Sequence, residues 1–97
     1  MRIIAHRTIV GYGHQHPNAK IALDNWYRTT KSARWQSFQD IKAIFNSVDF
    51  VGNQRYVFNI KGNDYRLVVK ILFAQQIVYI RFIGTHKEYD KIDCSTI

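Results

Sequence analysis

Proline and cysteine occur once each in these 97 residues, and glycine only five times. The lone Cys94 cannot form an internal disulfide, which fits a reducing compartment. With a single Pro17 and so few glycines there is no linker, repeat or low-complexity tract, so one domain over residues 1–97 is expected. Long apolar runs are missing too: none reaches the roughly 18 residues that cross a bilayer. The opening Met1-Arg-Ile-Ile-Ala has neither the apolar stretch nor the cleavage site of a signal peptide. The expectation is a cytoplasmic protein with no membrane partner.

Acid is the other shortage. Seven Asp and Glu stand against fourteen Lys and Arg, a net charge of +7. Seven of the bases and three of the acids lie in residues 1–50, so the excess is shared between the halves and there is no basic tail. A folded chain this basic favours a polyanion or an acidic partner. Glu88, Asp90 and Asp93 sit together but lack a second carboxylate cluster for Mg²⁺. His14-Gln-His16 comes without the Cys-x-x-Cys or His-Glu-x-x-His that would make it a metal site. No glycine-rich stretch precedes a helix. No metal and no cofactor are expected.

What is present divides the chain in two. Arg2-Ile-Ile-Ala reads as a short first strand. His6–His16 can be helical, although Gly11 and Gly13 each weaken it by roughly 1 kcal/mol relative to Ala. Past Pro17, residues 19–30 place Ala19, Ala22, Leu23, Trp26 and Thr30 at three- and four-residue spacing, which predicts an amphipathic helix. Ser37 can cap a third, short helix carrying Phe38, Ile41, Ile44 and Phe45. Near residue 54 the period changes. Tyr56-Val-Phe-Asn-Ile, Tyr65-Arg-Leu-Val-Val-Lys-Ile-Leu-Phe and Ile77-Val-Tyr-Ile-Arg-Phe-Ile are rich in β-branched and aromatic residues. Gly62-Asn63 and Gln75-Gln76 separate them, which predicts consecutive antiparallel hairpins. Thr85–Lys91 is polar and reads as a loop or short helix. The expected order is one strand, three helices, three strands.

A turn at Gly62-Asn63 pairs Ile60 with Tyr65, Phe58 with Leu67 and Tyr56 with Val69 on the face the helices would cover. The other face then opposes Asn59 to Arg66, Val57 to Val68 and Arg55 to Lys70. An even-length loop to the next strand keeps Val78, Ile80 and Phe82 on the helix side and adds Tyr79 and Arg81 to the basic face. A three-residue loop would drive Arg81 unpaired into the core, at a cost of several kcal/mol. Arg55, Arg66, Lys70 and Arg81 on one face repel unless neutralised, and a phosphate chain would neutralise them. Tyr79 offers a stacking surface for an unpaired base.

Arg55-Tyr-Val-Phe-Asn-Ile-Lys-Gly-Asn-Asp-Tyr-Arg-Leu, then Val78-Tyr-Ile-Arg, then Thr85-His-Lys-Glu-Tyr-Asp-Lys resembles the HigB-type toxins of the RelE-like superfamily. The resemblance is close over residues 54–93 and extends to the helical half in layout. It implies a compact α+β domain, the N-terminal helices packed on one face of an antiparallel sheet. It further implies ribosome-dependent cleavage of messenger RNA and neutralisation by a HigA-type helix-turn-helix antitoxin. Arg66 matches the sheet arginine that such toxins place near the scissile phosphate. His86 falls where relatives hold another catalytic basic residue, some of them Arg or Lys. Tyr89 lies near the C-terminal tyrosine that several members require.

RNA can be cut without metal if a base takes the proton from a 2′-hydroxyl that attacks the adjacent phosphate, an acid protonates the leaving 5′-oxygen, and cations hold the charge gathered on phosphorus. Among the residue types in the C-terminal motif only histidine titrates near neutrality. The candidate catalytic set is Arg66 and Arg81 for charge, with His86 and Tyr89 for proton transfer; which of the two is base or acid stays open. Arg55, Lys70 and Lys87 would bind flanking phosphates, with Tyr79 stacking a base. The alternative is a non-catalytic basic nucleic-acid-binding or regulatory module; His86→Ala or Tyr89→Phe that removes activity while leaving binding nearly intact separates the two.

Overall fold

The computed structural model describes all 97 residues, in the order β1 (Arg2–Ile4), α1 (His6–Gln15), α2 (Pro17–Ser32), α3 (Phe38–Lys42), β2 (Asp49–Gly52), β3 (Arg55–Ile60), β4 (Tyr65–Leu72), β5 (Ile77–Thr85) and α4 (His86–Tyr89). The five strands form one open sheet in the order β1-β5-β4-β3-β2. Only the β1–β5 pair is parallel. This is an α+β architecture with the helices on one face of a mostly antiparallel sheet, the layout the resemblance implied.

The helices cover one face because the apolar stripe of α2 and the alternating positions of the strands must share a dry interior. Ile9, Ala19, Leu23 and Trp26 meet Tyr56, Phe58, Ile60, Leu67, Val69 and Ile71 in a single cluster of 16 buried residues. Trp26 stands edge-on to Phe58 at 5.5 Å and Trp35 stacks on the same ring at 6.4 Å. Each large side chain buried there contributes about 1.5–3 kcal/mol. Pro17 opens α2 at its first position, where a missing N–H costs nothing. The expected cap on α3 is not made: the Ser37 hydroxyl bonds no backbone amide, and Asp40 Oδ2 instead accepts from the Gln36 N–H at 2.8 Å.

The β3–β4 register is the expected one at all six pairs, from Arg55 opposite Lys70 to Ile60 opposite Tyr65. Asp64 N–H donates to the Lys61 carbonyl at 3.2 Å and closes the turn on Gly62 and Asn63. Three features depart from the sequence reading. Asp49–Gly52 adds an edge strand, too short for a visible period, with exposed Phe50 packed on Tyr56 and Phe38. The four-residue 73–76 loop aligns Ile71 with Val78 and Val69 with Ile80, but a β-bulge follows, and Phe82 then faces Val68. Phe82 therefore leaves the helix-covered face, and Ile83, opposite Leu67, takes its place against the core.

The third departure is that the far face is not open. Tyr89 lies beside Arg66 at one end of it, and the Ile97 carbonyl accepts two hydrogen bonds from Arg55 at the other, at 3.0 and 2.6 Å. Asn53 Nδ2 donates to the Ser95 carbonyl between them. The segment after α4 thus runs across this face, on which Val57 and Val68 are 3 % and 0 % exposed.

Candidate active site

Where β5 ends, the chain turns directly into α4. Thr85 pairs with Tyr65, and its hydroxyl accepts the Glu88 N–H at 3.2 Å while Glu88 Oε1 accepts the Thr85 N–H at 2.7 Å. This reciprocal cap fixes the entry of a helix only four residues long. The Thr85 amide bond holds the Glu88 carboxyl below its ordinary range. At Gly84, opposite Arg66, a Cβ would meet the tip of the Phe82 ring at 2.5 Å, so a side chain there would have to displace that ring. Strand, glycine and cap together set α4 beside Arg66.

The Arg66 guanidinium is held by the turn that precedes it. Nη1 donates to the Asn63 and Tyr65 carbonyls at 3.1 and 3.3 Å, and Nη2 to Asn63 Oδ1 at 3.3 Å. All three acceptors are neutral, and no carboxylate lies within ion-pair distance. Its charge is oriented but not cancelled. The guanidinium carbon lies 6.0 Å from the centre of the Tyr89 ring, at the outer limit of cation–π contact.

Tyr89 is half-buried, and burial pushes its phenol up to about 12, helped by the hydrogen bond with Cys94 Sγ at 3.3 Å. Near neutrality it keeps its proton. His86 is exposed one turn earlier, and its Nδ1 lies 3.1 Å from Asp90 Oδ2. That contact sets a carboxylate against one nitrogen of the imidazole, one turn apart on the same helix. Neither Asp90 nor Asn63 was selected from the sequence as a partner in the site. The four-residue interval from His86 to Asp90 on a helix was the available signal; Asn63 gave none beyond its place in the turn.

The remaining candidates fall into other neighbourhoods. Lys70 pairs with Tyr79 on one side and Arg55 on the other, four residues along β4 from Arg66. Arg55 is occupied, since besides Ile97 it donates to the Asn53 carbonyl at 2.9 Å. Lys87 is exposed on α4. Arg81 is the bulge residue, unpaired in the ladder, and with Arg7, Thr8, Gln15 and Phe82 it lines a hollow of about 600 Å³ against α1. The structure brings Arg66, His86 and Tyr89 to one end of the sheet and sets Arg81 apart from them.

A family model described as the RelE-like toxic component of a toxin-antitoxin system matches residues 19–92. The chain is 33 % identical over 92 residues to the mRNA interferase toxin HigB of Escherichia coli K12, covering 93 % of this chain and 88 % of that one. It is 28 % identical over 94 residues to an mRNA interferase HigB of Escherichia coli O6:H1, covering 95 % and 91 %.

Proposed function

Because this chain belongs to the HigB family of RelE-like toxins, the toxic half of a toxin–antitoxin system, we infer that it is an mRNA endoribonuclease whose cut is made at Arg66, His86 and Tyr89. The observation that carries the site is Arg66: a guanidinium fixed by three neutral acceptors, its charge unspent, next to a proton-donating phenol and an imidazole aligned by a carboxylate.

His86 Nε2 takes the proton of a 2′-hydroxyl, whose oxygen attacks the adjacent phosphorus. Arg66 holds the two negative oxygens of the phosphorane with a planar fork. The 5′-oxygen leaves with a proton from Tyr89, whose phenol is neutral at the working pH. The products are a 2′,3′-cyclic phosphate and a 5′-hydroxyl, and every step uses the chain's own groups without a metal or cofactor. Lys70, Lys87 and Arg55 bind flanking phosphates, Tyr79 stacks a base, and Arg81 adds charge from the α1 side. Arg55 must give up its hold on Ile97 to do so.

Residues 1–97 act as one toxin domain. The substrate is messenger RNA on the ribosome in the cytoplasm, and the partner is a HigA-type helix-turn-helix antitoxin, which need not plug the active site because blocking entry to the ribosomal A site suffices. No helix is long and apolar enough to cross a membrane. Expression of the chain alone should arrest bacterial growth, and co-expression with the antitoxin should restore it. Normal growth with abundant intact chain contradicts this function.

A further inference from the structure

At the end of the sheet away from Arg66, the close of α2, the start of β1 and the β4–β5 loop surround an open hollow of about 710 Å³. Arg2, Lys31 and Arg34 line it, with Ser32, Gln36 and Gln75 supplying neutral donors, and no Asp or Glu among the lining residues. Neither ion pair of the molecule involves these cations. Lys31 complements the negative end of the α2 dipole, but Arg2 and Arg34 lie outside that helix, so the dipole does not account for them. The carbonyls of Lys31 and Ala33 at this corner are taken by the Met1 amine, at 3.1 and 2.6 Å, and do not compete for the cations.

The hollow is continuous in register with the basic face. Arg2 stands beside Ile77, and Ile77 beside Leu72, two residues beyond Lys70 on the same side of β4. Six residues of strand separate Leu72 from Arg66, about 20 Å at roughly 3.3 Å per residue. That exceeds the Debye length of about 8 Å at physiological salt, so the charges at the two ends are largely screened from one another.

We propose that the Arg2–Lys31–Arg34 hollow is a second phosphate-backbone site, which grips an RNA strand roughly 20 Å from the scissile bond and sets affinity rather than the rate of the cut. The inference rests on the endoribonuclease function for its ligand, an RNA backbone. An acidic segment of a protein partner is the rival occupant. RNA fits better because neutral amide and hydroxyl donors interleave the cations, as phosphodiester and 2′-hydroxyl groups require.

The test is equilibrium binding of the full chain to a labelled single strand of about 16 nucleotides across a salt series. Arg2→Gln/Arg34→Gln is compared with Arg28→Gln/Lys42→Gln, which removes equal charge from exposed positions elsewhere. Each lost phosphate contact lowers the log–log salt slope by about 0.7, so the first pair should lower it by about 1.4 and the control pair by far less. Equal slopes in the two pairs would overturn the proposal. So would unchanged RNA binding with weakened antitoxin binding, which assigns the hollow to an acidic protein. Cleavage of messenger RNA on translating ribosomes by the parent chain is scored separately, so loss of the endoribonuclease function shows as uncut messenger RNA and loss of this site as an unchanged slope.

Discussion

Arg66 and His86 differ in how their chemistry is prepared. Arg66 is positioned by neutral oxygens of its own turn, so its charge is free for the phosphate. His86 is positioned by Asp90 at 3.1 Å, in a pair more than half exposed on both sides, which contributes little to stability. Its value is orientation. His86→Ala should lower the cleavage rate by about 10²–10⁴-fold. Asp90→Asn should show a smaller loss, and none in the His86→Ala background, because the carboxylate acts only through the imidazole. Single-turnover rates of the two variants and their double test this, and additive losses would show that Asp90 acts by another route. The sequence displayed Arg66 through its strand register, and it displayed His86 through the C-terminal motif. It could not display the Asn63 bonds to Arg66, which depend on how one turn closes.

Among the elements, β5 explains why part of the site was illegible. Ile80-Arg-Phe-Ile satisfies an unbroken strand, with Phe82 toward the helices, as well as it satisfies a bulged one with Ile83 there. Both residues are apolar, so the pattern carries no signal until the partner strand is placed. The bulge sets Phe82 opposite Val68 while Ile83 packs against the core. Gly84 is the trace it leaves in the sequence. Gly84→Ala should destabilise by about 1–3 kcal/mol, since the Phe82 ring at 2.5 Å from a Cβ must shift; denaturant unfolding measures it, and an unchanged midpoint contradicts the packing. In α4, the Glu88 carboxyl sits below its ordinary range because the Thr85 amide favours the charged form. A depressed folded pKa stabilises above the unfolded value of about 4.3 and is lost as pH falls through the lower folded value. Amide protection at Thr85 and Glu88, corrected for the intrinsic exchange rate, should therefore fall in that acid window in the parent, and Glu88→Gln should remove that fall.

For the whole molecule, the period change near residue 54 and the β3–β4 register gave the architecture, because alternation there has only one solution with a dry face. The covering of the far face by the Tyr89–Ile97 segment was not legible: Lys91-Ile-Asp-Cys-Ser-Thr-Ile has no period, and only contacts with Arg55 and Asn53 place it. The consequence is a cationic surface with two open ends, Arg66 with α4 at one and Arg2 with Arg34 at the other, joined past Lys70 and Tyr79. A net charge of +7 attracts RNA and an acidic or helical antitoxin to that surface alike, and speeds both encounters. The central claim is that the chain cuts messenger RNA by 2′-hydroxyl attack with Arg66 holding the phosphorane. The measurement that tests it most directly maps the ends left on mRNA from translating ribosomes, for the parent and Arg66→Ala, with EDTA-treated chain in magnesium-defined buffer. The predicted result is a 2′,3′-cyclic or 3′-phosphate with a 5′-hydroxyl, formed about 10²–10³-fold more slowly by Arg66→Ala. A 5′-phosphate end, or an undiminished rate in Arg66→Ala, would contradict it.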